Sequence, residues 1–222
     1  MKRSHKFSVP AVVFMIVALL MPDYYTSAAE KGSPAASIRS VTIGNQVWMT
    51  DNLDVTRYRN GDEIPQVQDP LLWNSLKTGA WCYYENRSEN GVTYGKLYNW
   101  HAVNDPRGLA PQGWHIPSDA EWQQLVEATG GEKASGTKLK STVLWKAPVV
   151  GADNSSGFTA IPAGYRSSNG DFHLLGTNAS FWSATDNNGY AAWHRQLFNA
   201  YSAVYRVSSS KSLGLSVRCI RN

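Results

Sequence analysis

Cysteine is scarce: Cys82 and Cys219 are the only two in 222 residues. Two allow at most one bridge, and neither stands in a CxxC pair or at ligand spacing from a histidine, which argues against a thiolate metal site. An excess of charge of one sign is also lacking. The formal net charge is +4, from 21 Lys+Arg against 17 Asp+Glu. Lys2, Arg3, Lys6 and Asp23 belong to the first 29 residues, and without them the balance falls to +2, too weak and scattered for a nucleic-acid partner. Long apolar runs are missing. The run from Val9 to Met21 would span about 20 Å as a helix, short of the ~30 Å hydrocarbon core. With its basic start and the small residues Ser27, Ala28 and Ala29 after it, residues 1–29 read as an export signal cleaved before Glu30. Residues 30–39 read as a small-residue linker, and 40–222 as one domain with no internal repeat and no membrane span. The expected location is periplasm, cell surface or free secretion, and in such a compartment the default for Cys82 and Cys219 is a disulfide, two free thiols being the alternative.

Aromatics are abundant: nine Trp, eleven Tyr and six Phe. Each ring buries about 150–250 Å², and a Trp N–H or Tyr O–H can tether a polar loop, so most of them suit the core of a loop-rich fold. The Gly44-Asn45 step between Val41-Thr42-Ile43 and Gln46-Val47-Trp48 signals a hairpin. Asp69-Pro70 opens a short helix with Leu71, Leu72 and Leu76 as its expected apolar face, and Gly79 stops it. Ala80–Tyr84 reads as a strand carrying Cys82. Ser118-Asp119-Ala120-Glu121 is a capping box, followed by Trp122, Leu125, Val126 and Thr129 on one helical face. That role removes Glu121 from the candidate catalytic acids. From Lys133 onward short strands and turns follow, with strands expected at Phe158–Pro162, Phe172–Leu175, Phe181–Ala184, Tyr190–Leu197, Val204–Ser208 and Leu215–Ile220. Helices early and strands late predict an α+β fold of short helices on antiparallel sheets.

Four segments in order carry a family signal: Gly44-Asn45-Gln46-Val47-Trp48-Met49-Thr50-Asp51-Asn52-Leu53, Tyr94-Gly95-Lys96-Leu97-Tyr98-Asn99-Trp100, Pro111-Gln112-Gly113-Trp114-His115-Ile116-Pro117-Ser118-Asp119-Ala120-Glu121-Trp122 and Ser216-Val217-Arg218-Cys219-Ile220-Arg221. From about Ser40 to the end the chain resembles the Fibrobacter succinogenes major paralogous domain family of secreted bacterial domains. The resemblance implies a C-type-lectin-like fold, related to that of the formylglycine-generating enzyme, with both termini on one sheet and long loops at one end. A Cys82–Cys219 bridge would then pin the strand after the first helix to the closing strand. Related sequences often have a cysteine where this chain has Ala110, so a second bridge is not expected.

The resemblance implies no particular ligand. The Glu-Pro-Asn or Gln-Pro-Asp tripeptide and the Trp-Asn-Asp stretch of calcium-dependent lectins are absent, which leaves calcium to loop oxygens of Asp153, Asn154, Asp171, Asp186, Asn187 and Asn188. No cofactor is expected. His101, His115, His173 and His194 share no zinc spacing, and His115, within a structural motif, is expected buried. The paired active-site cysteines of the formylglycine-generating enzyme are missing. Ser183 lacks the Gly-x-Ser-x-Gly elbow, and nothing in the sequence requires Asp51, Asp54, Asp62 and Glu63 to face one another. No enzyme is expected. What is left is a binding domain whose loops recognise a glycan or a cell-surface macromolecule, with a structural or protein-interaction module of the envelope as the alternative. Candidate contacts are Tyr165, Arg166, His173, Asn178, Asn187, Asn188, Tyr190 and Tyr201, with Trp182 and Trp193 as further aromatics in strand-like segments.

Overall fold

Gly44, at φ +58°, and Asn45 turn the chain between β1 (Ser40–Ile43) and β2 (Gln46–Met49), the left-handed step a two-residue hairpin needs. The computed structural model describes residues 38–222, which make one compact unit. The expected export signal (1–29) and all of the linker but Ile38 and Arg39 lie outside the described residues. Next come α1 (Pro70–Ser75), β3 (Trp81–Cys82), α2 (Ser88–Tyr94), β4 (Leu97–Tyr98), α3 (Trp100–Val103) and β5 (Trp114–His115). Then follow α4 (Asp119–Ala128), α5 (Ser135–Leu139), β6 (Tyr165–Arg166), β7 (Phe172–His173), β8 (Asn178–Asn187), β9 (Ala191–Phe198), β10 (Val204–Ser210) and β11 (Ile220–Arg221). All pairings between these strands are antiparallel, giving the loop-rich α+β fold expected.

Two sheets organise the molecule. One runs β1-β2-β11-β5, so the closing strand lies beside the opening hairpin; the other runs β10-β9-β8. Of the segment Leu215–Ile220, expected as one strand, only Ile220 enters β11. Leu215 and Ser216 instead make single bridges, Leu215 to Tyr98 of the separate β3-β4 pair and Ser216 to Phe181 of β8. Phe158–Pro162 likewise shrinks to one bridge, Ala160 to Lys140.

Helix α4 starts on the capping box: Ser118 Oγ accepts from Glu121 N at 3.2 Å, and Glu121 Oε2 accepts from Ser118 N at 2.8 Å. Trp122, Leu125, Val126 and Thr129 are all buried, as their spacing predicts. Helix α1 begins as expected, with Asp69 Oδ1 accepting from Leu72 N at 2.8 Å, but its buried face differs. Leu71 and Leu72 are 79% and 53% exposed, and Trp73 is buried in their place. The reason is a non-local tether: Trp73 Nε1 donates to Ser212 O at 2.8 Å, and the Arg166 guanidinium covers its ring at 4.4 Å.

Five other tryptophans repeat that device. Trp81, Trp100, Trp122, Trp145 and Trp182 each donate an indole N–H to a backbone carbonyl, at 2.8–3.2 Å. Trp48, Trp122, Phe158 and Phe181 meet ring to ring at 4.7–5.9 Å and form one centre of the core. The aromatic surplus therefore holds loops to strands while filling volume.

The disulfide expectation is corrected. Cys82 and Cys219 are separate, buried thiols. In β3 successive side chains point to opposite faces: Trp81 packs with Tyr98, Val217 and Cys219, and Cys82 with Trp73, Tyr84 and Leu97. Alternation turns Cys82 away from the cluster that holds its expected partner, and burial pushes both thiols up to about 12.

Candidate functional site

The motif segments converge on the interior. Buried Arg218 donates from Nε to Asn52 Oδ1 at 2.8 Å, and from its terminal nitrogens to Met49 O, Phe158 O and Thr159 O at 2.7–3.0 Å. Asn52 Nδ2 in turn donates to Tyr94 O at 2.9 Å and Ser216 Oγ at 3.2 Å. Leu53 N reaches Val217 O, and Asn99 caps α3 while accepting from Ala80 N. Three of the four segments are thus stitched to one another, and the polar residues that look most like a site are structural.

Two candidate contacts are corrected by the same logic. Arg166 is fully buried, its guanidinium donating to Val67 O, Gln68 O and Gly170 O at 2.6–2.9 Å. Asn178 is fully buried, with Oδ1 accepting from Ser180 Oγ at 2.6 Å. Trp182 is core, and partly buried Trp193 carries the Arg206 guanidinium 3.4 Å from its ring centre. His173 is exposed and lies against partly buried Tyr165, ring centroids 5.3 Å apart. Asn188 and Tyr190 project from the β8–β9 turn, Tyr190 88% exposed, while Asn187 Nδ2 is held by Ser208 Oγ at 2.6 Å. Tyr201 lies beyond the other end of β9, about 25 Å away by strand rise. The named residues therefore do not make one site.

Of the loop residues left open to calcium, the three carboxylates are engaged separately. Asp153 Oδ1 accepts from Ser155 N, Asp171 Oδ2 from Asn169 Nδ2, and Asp186 Oδ2 pairs with Lys211. Among the described residues no group of three or more His, Cys, Asp or Glu is placed to hold a metal ion. His115, expected buried, is half-exposed; Nε2 lies 2.9 Å from Glu121 Oε1 and Nδ1 2.8 Å from Asn222 Oδ1. The carboxylates Asp51, Asp54, Asp62 and Glu63 do not face one another: their partners are Arg39, Lys96, Arg107 and Arg57. Ser183 Oγ donates to Trp193 O at 2.9 Å.

One surface that the sequence reading named only through Tyr201 stands out. Phe198, Tyr201 and Tyr205 form a triad with centroids 5.8–6.4 Å apart and interplanar angles of 71–88°. Tyr201 and Tyr205 are 55% and 38% exposed, and Val149 and Val150 alongside are 40% and 46% exposed. Lys140 pins the two loops together. Its buried Nζ donates to Val150 O, Phe198 O and Tyr201 O at 2.6–3.2 Å, and Val150 N donates to Asn199 O. Phe198, on β9, and Tyr205, on β10, share one sheet face, since Tyr205 pairs with Gln196. Sequence signals existed, in the apolar Val149-Val150 step within a polar loop and in the Phe198, Tyr201 and Tyr205 spacing, but pairing them requires the sheet register.

A second feature is a cleft of about 400 Å³ beside α2, lined by Asp51, Asn52, Thr93, Tyr94 and Thr159 among others, with Arg39 at its edge. Its lining is mostly polar, and Tyr94 is its one aromatic ring.

No helix among the described residues is long and apolar enough to cross a membrane. No curated protein and no solved structure is detectably similar to the chain. One family model does match, over residues 41–221, and the chain belongs to the Fibrobacter succinogenes major domain family.

Proposed function

We propose that this chain is an exported, non-catalytic interaction domain that binds a macromolecular partner through the Phe198–Tyr201–Tyr205 surface. The observation that carries the reading is the Lys140 clamp. It spends a buried ammonium to hold two exposed apolar loops side by side, although neither loop covers the other. A contiguous exposed apolar patch on a folded domain marks an interaction site. The ring geometry favours a protein over a glycan: the three rings stand nearly perpendicular to one another, so no two offer the coplanar platform on which a sugar chain stacks. Tyr is also a frequent anchor of protein interfaces. A non-catalytic role is supported by the carboxylates weighed as catalytic candidates: Asp51, Asp54, Asp62 and Glu63 are held in ion pairs and Glu121 in a helix cap.

Glycan recognition is the second reading. The polar cleft beside α2 favours it, where Asp51, Thr93 and Tyr94 offer the mix of hydrogen bonds and one ring face that a sugar unit needs.

The test compares the wild-type mature chain with a Tyr201→Ser/Tyr205→Ser variant and an Asp51→Ala variant, binding to cell-envelope protein from the source organism and to a glycan array. The expected result is at least tenfold weaker envelope-protein binding for the double variant alone. Envelope binding that survives the double variant would overturn the reading. Array hits abolished by Asp51→Ala would move the function to the cleft.

A further inference from the structure

One edge of β10 is open. Val204 N donates to Glu132 O at 2.8 Å, so the backbone of residue 204 faces away from β9. Along a strand these directions alternate. Arg206 and Ser208 therefore face outward too, while Tyr205, Val207 and Ser209 exchange their bonds with Gln196, His194 and Ala192 of β9. Residues on β8 obey the complementary parity: Ser180 O and Trp182 N leave the sheet to meet Ser216. Among the described residues no group of the chain meets the outward N–H or C=O of Arg206 or Ser208. Both ends of this opening are bounded, by Glu132 O on Val204 N and by Leu213 N on Ser210 O at 3.1 Å.

Proteins commonly guard such an edge with a charged side chain. Arg206 does not serve that way: its guanidinium is laid over the Trp193 ring, with Nε 2.9 Å from Asp119 Oδ2. Open N–H and C=O groups at strand spacing are matched by one chemistry, an extended polypeptide. The open window is also symmetrical about Val207. A slip in one direction would set Arg206 against its own copy, and a slip in the other would call on the occupied Ser210 O.

We propose that a second copy of this chain fills the edge, β10 pairing antiparallel with its counterpart about a two-fold axis at Val207. Arg206 of each copy then exchanges N–H···O=C bonds with Ser208 of the other, and the two Val207 side chains face each other as a non-hydrogen-bonded pair. Joining along an edge preserves the faces of the sheet, so both Phe198–Tyr201–Tyr205 surfaces lie on the same side. Two such surfaces side by side bind a repetitive partner with an avidity neither has alone. The contact is short against the ~800 Å² per partner of a standard interface, so the association is weak and depends on concentration.

The test is sedimentation equilibrium of the mature chain from micromolar to near-millimolar concentration, with three variants. Ser208→Pro removes an outward N–H that bonds to nothing in the chain, a position where an edge strand accepts proline. It should keep the native near-ultraviolet spectrum and weaken dimerisation at least tenfold. Val207→Cys places two thiols on Cα atoms about 4.5 Å apart, within disulfide reach, and should oxidise to a covalent dimer. Ser209→Cys sets its own copies about 13 Å apart along the strands and should not. A chain monomeric at every concentration, or Ser209→Cys cross-linking as readily as Val207→Cys, overturns the proposal. Tyr201→Ser, at a residue outside β10, should weaken partner-surface binding and leave this self-association intact, so the two readings fail separately.

Discussion

His194 sits on β9 with its ring edge-on to Trp182 at 5.5 Å, Nε2 3.0 Å from Ser209 Oγ, and Nδ1 without a partner among the described residues. Burial, reinforced by the neighbouring Arg195 charge, lowers its pKa to about 4. In the unfolded chain the imidazole titrates near 6.5, so between pH 6.5 and 4 the unfolded state binds the proton first. Stability is therefore full above pH 6.5 and falls as the pH drops through this window, by at most about 3 kcal/mol. Carboxylates whose pKa is lowered in the fold, Asp105 and Glu121 among them, add a loss of the same sign, so a single curve does not isolate the histidine. Denaturant unfolding of wild type and His194→Leu at pH 7 and pH 4.5 does. The variant is expected to lose less stability on acidification than wild type, and equal losses would mean the imidazole is already solvated in the folded state.

Local encoding is clearest at the start of α4. Ser118 and Glu121 satisfy each other's backbone donors, and Glu121 also meets His115 on β5, so one short stretch fixes both the helix start and its tie to the β1-β2-β11-β5 sheet. Ser118→Ala should cost about 1 kcal/mol, seen as a melting temperature lower by roughly 2–4 °C in a domain of this size. Glu121→Gln should cost less, since an amide oxygen still accepts from Ser118 N; a larger loss from Glu121→Gln would shift the weight from the cap to the His115 pair. This helix, the Gly44-Asn45 hairpin and the Asp69 cap were legible because each is decided within four residues. Helix α1 shows the limit. Its six residues are too few for periodicity to choose a face, and Trp73 is drawn inward by a carbonyl 139 positions away.

At the scale of the whole molecule, the same contrast separates what the sequence revealed from what it hid. The family segments pointed to the domain and its class, and the structure shows why they travel together: Asn52, Tyr94, Ser216 and Arg218 bond to one another across the fold. The candidate site was legible only in part. Arg166 looked like a contact residue because its partners, Val67 O and Gln68 O, lie 99 and 98 positions earlier; Tyr201 was named without Phe198 and Tyr205 because strand register makes them neighbours. The cysteines are the most consequential case. An expected export and a count of two argue for a bridge, but alternation in β3 turns Cys82 into a different cluster from Cys219, and a disulfide needs Cα atoms within about 7 Å with converging Cβ vectors. A thiol held near 12 presents almost no thiolate at neutral pH, and a buried one admits no oxidant. The native mature chain is expected to react with a thiol-specific reagent at neither cysteine, and the denatured chain at both, even when purified from an oxidising compartment without reductant. A reductant should leave its melting temperature unchanged. Peptide mapping that finds Cys82 joined to Cys219 would require β3 to present its opposite face, moving Trp81 out of the larger core cluster and releasing its indole N–H from Ile64 O.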